Sequence, residues 1–403
     1  MFKNSFSRIF MLVWTSLALV SCASTKLPSI GSTKSFQPEE DEKQIWRDSE
    51  RLERLYDKSG LLYKDLDLEN YLNALADKLV GQAVRDTGVR PRIKVVQNPL
   101  LNAFALPNGM VYIHTGMLAR MDNEAQLATV LGHELTHFTH RHTVKEIRSA
   151  KNKSAFTSTL QVIIIGPVIA LGGGSALGEL TGRIGDLWAL SSVRGYSREL
   201  EAEADKEGLR VMIQAGYDPK EAPRVFELLQ QELDERKIKE PFFFGTHPML
   251  QMRIENYKRL IQTEYAAQAK ETGRLINARE FQKRTEDLLL DNAVLDLRIG
   301  RVSTAQAAIE KHLKRKPSNA RAYYLLGEVH RQKSDTLRAI TAYHKAARLD
   351  PSYAEPHREM GLIYRAQNRT KEAHAELEKY LALSPGAVDS PIIKVYLSDL
   401  EKP

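Results

Sequence analysis

The sequence offers almost no sulfur chemistry. Cys22 is the single cysteine in 403 residues, so no internal disulfide staples the fold and the core must be held by packing. Charge of one sign is equally scarce: 58 Lys and Arg stand against 51 Asp and Glu, a formal charge of +7. With no long basic run and no interleaving of arginine with aromatics, nothing in the sequence points to a nucleic-acid partner. A mean hydropathy of −0.38 excludes a protein of many membrane spans, and 42% hydrophobic residues exclude global disorder. At roughly 150 residues per domain, the length accommodates two or three domains.

The first residues read as a targeting segment. Lys3 and Arg8 precede a short apolar stretch, Ile9 to Val20, that ends at Leu19-Val20-Ser21-Cys22. That stretch is too short for a comfortable membrane span and has the layout of a secretory signal. Small residues before a lone cysteine resemble the bacterial lipobox. Residues 1–21 are therefore expected to be a lipoprotein signal peptide, Cys22 the lipidation site, and the membrane a partner through that anchor. Ala23, where an Asp would retain the protein at the inner membrane, points to the periplasmic face of the outer membrane. Residues 22–40, rich in Ser, Thr and Pro, are expected to be a tether.

Downstream, apolar residues recur at helical spacing through Leu52, Leu55 and Tyr56, and again through Tyr71, Leu72, Leu75 and Leu79. Arg92 to Gln97 and Val111-Tyr112-Ile113 are strand patterns, the second following the turn signal Pro107-Asn108-Gly109. A long helix begins near Glu124 with Asp122 or Asn123 as its cap. Residues 160–190 are apolar and interrupted by Gly172-Gly173-Gly174, which favours a buried helical hairpin or a lid over a membrane-touching loop. The last third repeats with a period of 34: Pro317, Pro351 and Pro385; Gly327 and Gly361; Ala305, Ala339 and Ala373; Ile309, Tyr343 and Leu377. A helix–turn–helix unit of that length, with small residues where helices touch, resembles the tetratricopeptide repeat. The first copy, about 283–316, carries Asn292 and Asp296 where apolar residues are usual, and is expected to pack on the preceding domain. Residues 386–403 supply a capping helix. The expected division is 41–262 for a domain ahead of the repeats, 263–282 for a connector helix and 283–403 for the repeats. A cut near residue 275 is expected to leave a first domain that stands without the repeats.

The chemistry is concentrated at His133-Glu134-Leu135-Thr136-His137. Histidines four apart share one helix face and can reach one ion, while Glu134, about 100° around the helix, can address a water in its open position. Zinc in a catalytic site takes a third protein ligand and keeps one position open. The metzincin pattern fails, because His140 stands where its glycine should be and Thr143 where its third histidine should be. The alternative is the acidic helix that follows Ser197. Glu201 and Asp205 face the same way, so that one can bind metal while the other orients a ligand imidazole; Glu199 and Glu203 read as a solvated face. His140 is taken as a hydrogen-bonding or surface group one turn beyond the ligands.

Four stretches occur in order: Asn102-Ala-Phe-Ala-Leu-Pro-Asn-Gly-Met-Val-Tyr-Ile, Leu131-Gly-His-Glu-Leu-Thr-His, Ser197-Arg-Glu-Leu-Glu-Ala-Glu-Ala-Asp, and Thr246-His247-Pro248 followed by Arg253-Ile254. Together they resemble the gluzincin peptidase family that includes HtpX, LoiP and BepA, one branch of which joins such a peptidase to C-terminal tetratricopeptide repeats. The resemblance implies one zinc ion per chain on His133, His137 and Glu201, with Glu134 as general base and Asp205 as the partner of a ligand histidine. His247 has three readings: a structural loop residue, a donor to the oxyanion, or, by the same resemblance, a regulatory fourth zinc ligand. The fold is expected to be α+β, a mainly helical zincin domain with a small β-sheet, followed by an all-α repeat solenoid. The function expected is zinc-dependent proteolysis of unfolded or misassembled outer-membrane proteins, with the repeats engaging the outer-membrane assembly machinery. The competing expectation is a repeat-based chaperone or adaptor whose peptidase is latent.

Overall fold

The computed structural model describes residues 24–152, 196–236 and 250–401. Cys22, the apolar stretch 160–190 and His247 lie outside the described residues. The N-terminal half begins with α1 (Glu40–Ser59) and α2 (Leu66–Asp86). Asp65 caps α2 by accepting a hydrogen bond from the Leu68 N–H at 2.9 Å, and Leu68, Leu72, Leu75 and Leu79 bury one face of it. The sheet follows: β1 (Arg92–Val96), β2 (Ala103–Ala105) and β3 (Met110–His114). Its order is β1-β3-β2, with β1 parallel and β2 antiparallel to β3, so the central strand is buried throughout. Gly109 makes the turn into β3 at φ +89, and a Cβ there would come within 2.9 Å of the Phe138 ring.

Beyond the sheet lie α3 (Thr115–Arg120), α4 (Glu124–Thr139) and α5 (His142–Asn152). Every residue of α4 is buried, and the Asn123 side chain caps its start on the Gln126 N–H at 3.0 Å. Three more helices follow: α6 (Arg198–Gln214) and α7 (Glu221–Arg236) pack against α4, and α8 (Leu250–Thr263) packs on α6 and α7. Helices α4 and α6 touch backbone to backbone at Gly132 and Gly208: a Cβ on Gly208 would stand 2.8 Å from the His133 nitrogen. Gly208→Ala is therefore expected to push the two helices apart and cost about 1–3 kcal/mol, measured by denaturant unfolding. Wild-type stability in that variant would show that the contact is not tight.

Residues 24–39 are not a loose tether, which corrects the expectation drawn from their composition. Three apolar side chains decide the matter. Leu27 and Ile30 are buried, and Phe36 packs with Ile30 against Val84 and Phe138. The Ile30 N–H donates to the Thr139 carbonyl at the end of α4 at 2.7 Å. Arg148 on α5, itself buried, donates to the Ser24 carbonyl at 2.8 Å and to the Asp41 and Glu39 carboxylates at 2.6 and 2.7 Å. The segment is a strap across α2, α4 and α5.

The expected single connector helix is also corrected. Residues 263–282 hold α9 (Ala266–Lys270), an isolated bridge between Tyr217 and Leu275, and most of α10 (Ala278–Arg284). The repeats are built from α11 (Glu286–Arg298), α12 (Val302–Arg315), α13 (Ala320–Gln332), α14 (Thr336–Leu349), α15 (Glu355–Ala366), α16 (Thr370–Leu383) and α17 (Ser390–Leu400). The sequence columns have a steric cause. A Cβ on Gly327 would collide with the Tyr343 ring, and one on Gly361 would lie 2.6 Å from Leu377. Asn292 and Asp296 of α11 face the N-terminal half: Asn292 accepts from the Thr115 hydroxyl at 2.8 Å, and Asp296 lies 3.3 Å from Arg120. Among the described residues no helix is long and apolar enough to cross a membrane.

Candidate active site

Helix α4 carries His133 and His137 one turn apart, and their Nε2 atoms converge to 3.0 Å. Helix α6 starts at the Ser197 cap and descends past them, held close by the Gly132–Gly208 contact. One turn in, it presents Glu201, whose two carboxylate oxygens lie 3.5 Å from the Nε2 of His133 and 3.5 Å from that of His137. Ligand atoms of the three residues all lie within 4.8 Å of one another, and all three residues are buried. Glu199 is exposed and Glu203 half-buried, so of the alternating glutamates only Glu201 turns inward.

Asp205, one turn after Glu201, reaches behind the first histidine, its Oδ1 3.0 Å from His133 Nδ1. Behind Asp205 stands a buried arginine that the sequence marked only as a landmark. Arg253 on α8 donates to Asp205 at 2.6 Å, lies 4.3 Å above the Phe226 ring and comes 2.9 Å from His133 Nδ1. Tyr257 donates its hydroxyl to the same carboxylate at 2.8 Å. Burial works to raise the Asp205 pKa, but the Arg253 charge and the His133 hydrogen bond outweigh it and hold the carboxyl down at about 2. Burial, then the Arg253 charge, hold His133 down at about 4, which keeps the imidazole neutral and able to donate a lone pair. A signal for Arg253 was present: buried Leu250, Arg253, Ile254, Tyr257 and Leu260 form one stripe, so the arginine sits where a helix normally places an apolar residue.

Around His137 the surroundings differ. The Tyr196 ring stacks on its imidazole at 3.8 Å between centroids, and the Tyr196 hydroxyl lies 2.9 Å from that of Thr143. His142, fully buried at the start of α5, places its Nδ1 2.9 Å from His137 Nδ1. Its role was not legible, because five residues is not a same-face spacing on a continuous helix. His140 ends α4 and lies 3.2 Å from the Thr139 hydroxyl through its Nδ1. Glu134, 1% exposed, sits on α4 between the two histidines.

Residues 65–261 match the profile of Peptidase family M48, and residues 290–354 and 330–388 that of the tetratricopeptide repeat. The chain is 31% identical over 201 residues to the beta-barrel assembly-enhancing protease of Yersinia pestis, covering 49% of this chain and 39% of that protein. It is 34% identical over 142 residues to the mitochondrial metalloendopeptidase OMA1 of Arabidopsis thaliana, covering 35% and 26%. A putative beta-barrel assembly-enhancing protease of Vibrio cholerae is 28% identical over 236 residues, covering 57% and 46%. The chain thus spans less than half the length of these curated relatives.

Proposed function

We propose that this chain, a Peptidase family M48 domain followed by tetratricopeptide repeats, is a zinc-dependent endopeptidase. The observation that carries the reading is the convergence of His133, His137 and Glu201 in a buried cluster with Glu134 on the same helix. Two imidazoles and one carboxylate are a donor set suited to catalytic zinc. Zinc held there supplies Lewis acidity to a scissile carbonyl and to the oxygen that attacks it. Glu134 removes a proton from the attacking water and delivers it to the departing amine nitrogen. Asp205, neutralised by Arg253 and fixed by Tyr257, keeps the His133 ring in the orientation that directs Nε2 inward. Strand β2 pairs only with β3 among the described residues, leaving one edge on which an extended substrate can add main-chain hydrogen bonds. Such pairing reads no side chains and suits unfolded substrates.

The substrate class proposed is unfolded or misassembled outer-membrane protein, met in the periplasm, with Cys22 as a lipid anchor and the repeats engaging the assembly machinery. The names of the bacterial relatives support this choice. The test is metal analysis of the purified protein together with cleavage of an unfolded β-barrel protein before and after chelation. Zinc near one per chain and chelator-sensitive cleavage are expected. Glu201→Gln is expected to lower zinc occupancy, since a neutral amide oxygen is a poorer partner for the cation, whereas Glu199→Gln, at an exposed glutamate, leaves all three ligands in place. Full zinc retention in Glu201→Gln would remove Glu201 from the ligand set.

A further inference from the structure

We infer that His142 is a positioning residue for His137, accepting a hydrogen bond from its Nδ1. The inference rests on the zinc reading above. An imidazole that gives Nε2 to a metal carries its proton on Nδ1 and needs an acceptor there. For His133 that acceptor is Asp205, at 3.0 Å. For His137 it is another imidazole: Nδ1 of His142 lies 2.9 Å away, with the rings 81° apart in plane and 4.9 Å between centroids. Of two neutral rings meeting nitrogen to nitrogen, one must donate and the other accept. Metal on His137 Nε2 makes His137 the donor, so His142 presents a bare Nδ1 and carries its own proton on Nε2. That Nε2 lies 3.3 Å from Glu203 Oε2 without hydrogen-bond geometry, and Lys145 approaches the same carboxylate at 3.7 Å.

The backbone explains how a residue five positions on returns to the ligand. On a continuous helix, residue 142 would lie about 140° around from His137. Helix α4 instead ends at Thr139, and Arg141 takes the left-handed conformation at φ +58 before α5 begins at His142. A non-glycine residue there is strained and needs support. Arg141 has it: its guanidinium pairs with buried Glu42 at 2.5 Å and donates to the Pro28 carbonyl at 3.4 Å. Strap and α1 thus hold the bend that swings His142 onto His137, while Tyr196 covers the other side of that ring. The two ligand histidines are held by unlike partners, a carboxylate for His133 and an imidazole for His137.

The test compares full-length wild type, His142→Asn and His142→Leu. The Asn carbonyl oxygen falls near the position of Nδ1 and still accepts; Leu fills similar space and cannot. Three quantities are read: zinc release to a chromogenic chelator, thermal unfolding of the zinc-free proteins, and the Nδ1-bound proton of His137 in nitrogen-15 NMR of the zinc-loaded form. His142→Leu is expected to lose zinc affinity by roughly 10–100-fold and His142→Asn to stay near wild type, with similar zinc-free unfolding temperatures. Wild type is expected to show a slowly exchanging His137 Nδ1 proton. The inference is overturned if both variants keep wild-type zinc, if both lose it equally, or if that proton is absent in wild type. Should His142→Leu fail to fold, the wild-type NMR and His142→Asn still decide. Wild type that takes up no zinc removes the metal reading and this inference together, whereas zinc-loaded wild type with an unaffected Leu variant removes only this inference.

Discussion

Glu134→Gln is expected to bind zinc as wild type does and to hydrolyse an unfolded protein on the order of a hundredfold or more slowly. Among the described residues the cluster of possible metal ligands is His133, His137 and Glu201, and Glu134 is not part of it. Replacing its carboxylate by an amide preserves shape and helix packing at a residue only 1% exposed. What changes is proton transfer: an amide can neither take a proton from water nor return one to an amine. The measurement is initial rates at matched zinc content, with His137→Ala, purified in parallel, setting the background from contaminating protease. A Glu134→Gln rate within a few fold of wild type and well above that background would dismiss Glu134 as the base. A variant that lost zinc in proportion to its activity would instead place Glu134 among the ligands.

What was legible beforehand follows physical rules. The repeats were readable because close helix approach permits only small residues, and the Gly327–Tyr343 and Gly361–Leu377 contacts recur at the fixed period of 34. The two histidines were readable because a four-residue spacing is a property of one helix. Glu201 needed the family resemblance, since the helix Arg198–Gln214 offers three alternating glutamates and only packing against α4 selects the buried one. Arg253 and His142 were not read for opposite reasons. Arg253 lies within the apolar stripe of its own helix, a position that invited the question of what it neutralises. His142 reaches the site through a left-handed residue at Arg141, and no periodicity encodes that bend. The strap was misread because composition averages over a segment, whereas Leu27, Ile30 and Phe36 act individually.

The second large effect concerns where the catalytic half ends. Truncation after residue 275 is expected to abolish cooperative folding, whereas a chain ending after the first repeat, near Pro317, is expected to fold and bind zinc. The sequence placed the boundary earlier, but the packing does not stop there. Phe281, Leu288, Leu289, Leu290, Ala293 and Leu297 are buried in the same cluster as Leu127, Val130 and Leu131 of α4. Each large side chain of that set contributes about 1.5–3 kcal/mol by burial, so losing the five together is comparable with the whole stability of an ordinary domain, about 5–15 kcal/mol. The start of α4 is tied to the same region. The Glu124 N–H donates to the Ile276 carbonyl at 3.1 Å, and the Glu124 carboxylate accepts from Asn277 at 2.6 Å. Farther on, Arg120 and Glu232, buried and paired at 2.9 Å, are shared with the first repeat through Arg301, 2.8 Å from Glu232. A cut at 275 removes the Ile276, Asn277 and Arg301 contacts and that buried set, while a cut near 317 keeps them and gives up the packing of α13 on α11 and α12, including the Arg321–Asp291 pair. Circular dichroism melts and zinc titration of the two truncations decide the point. A 24–275 fragment that melts cooperatively and binds zinc would restore the earlier boundary; if neither fragment folds, the later repeats are part of the catalytic fold as well.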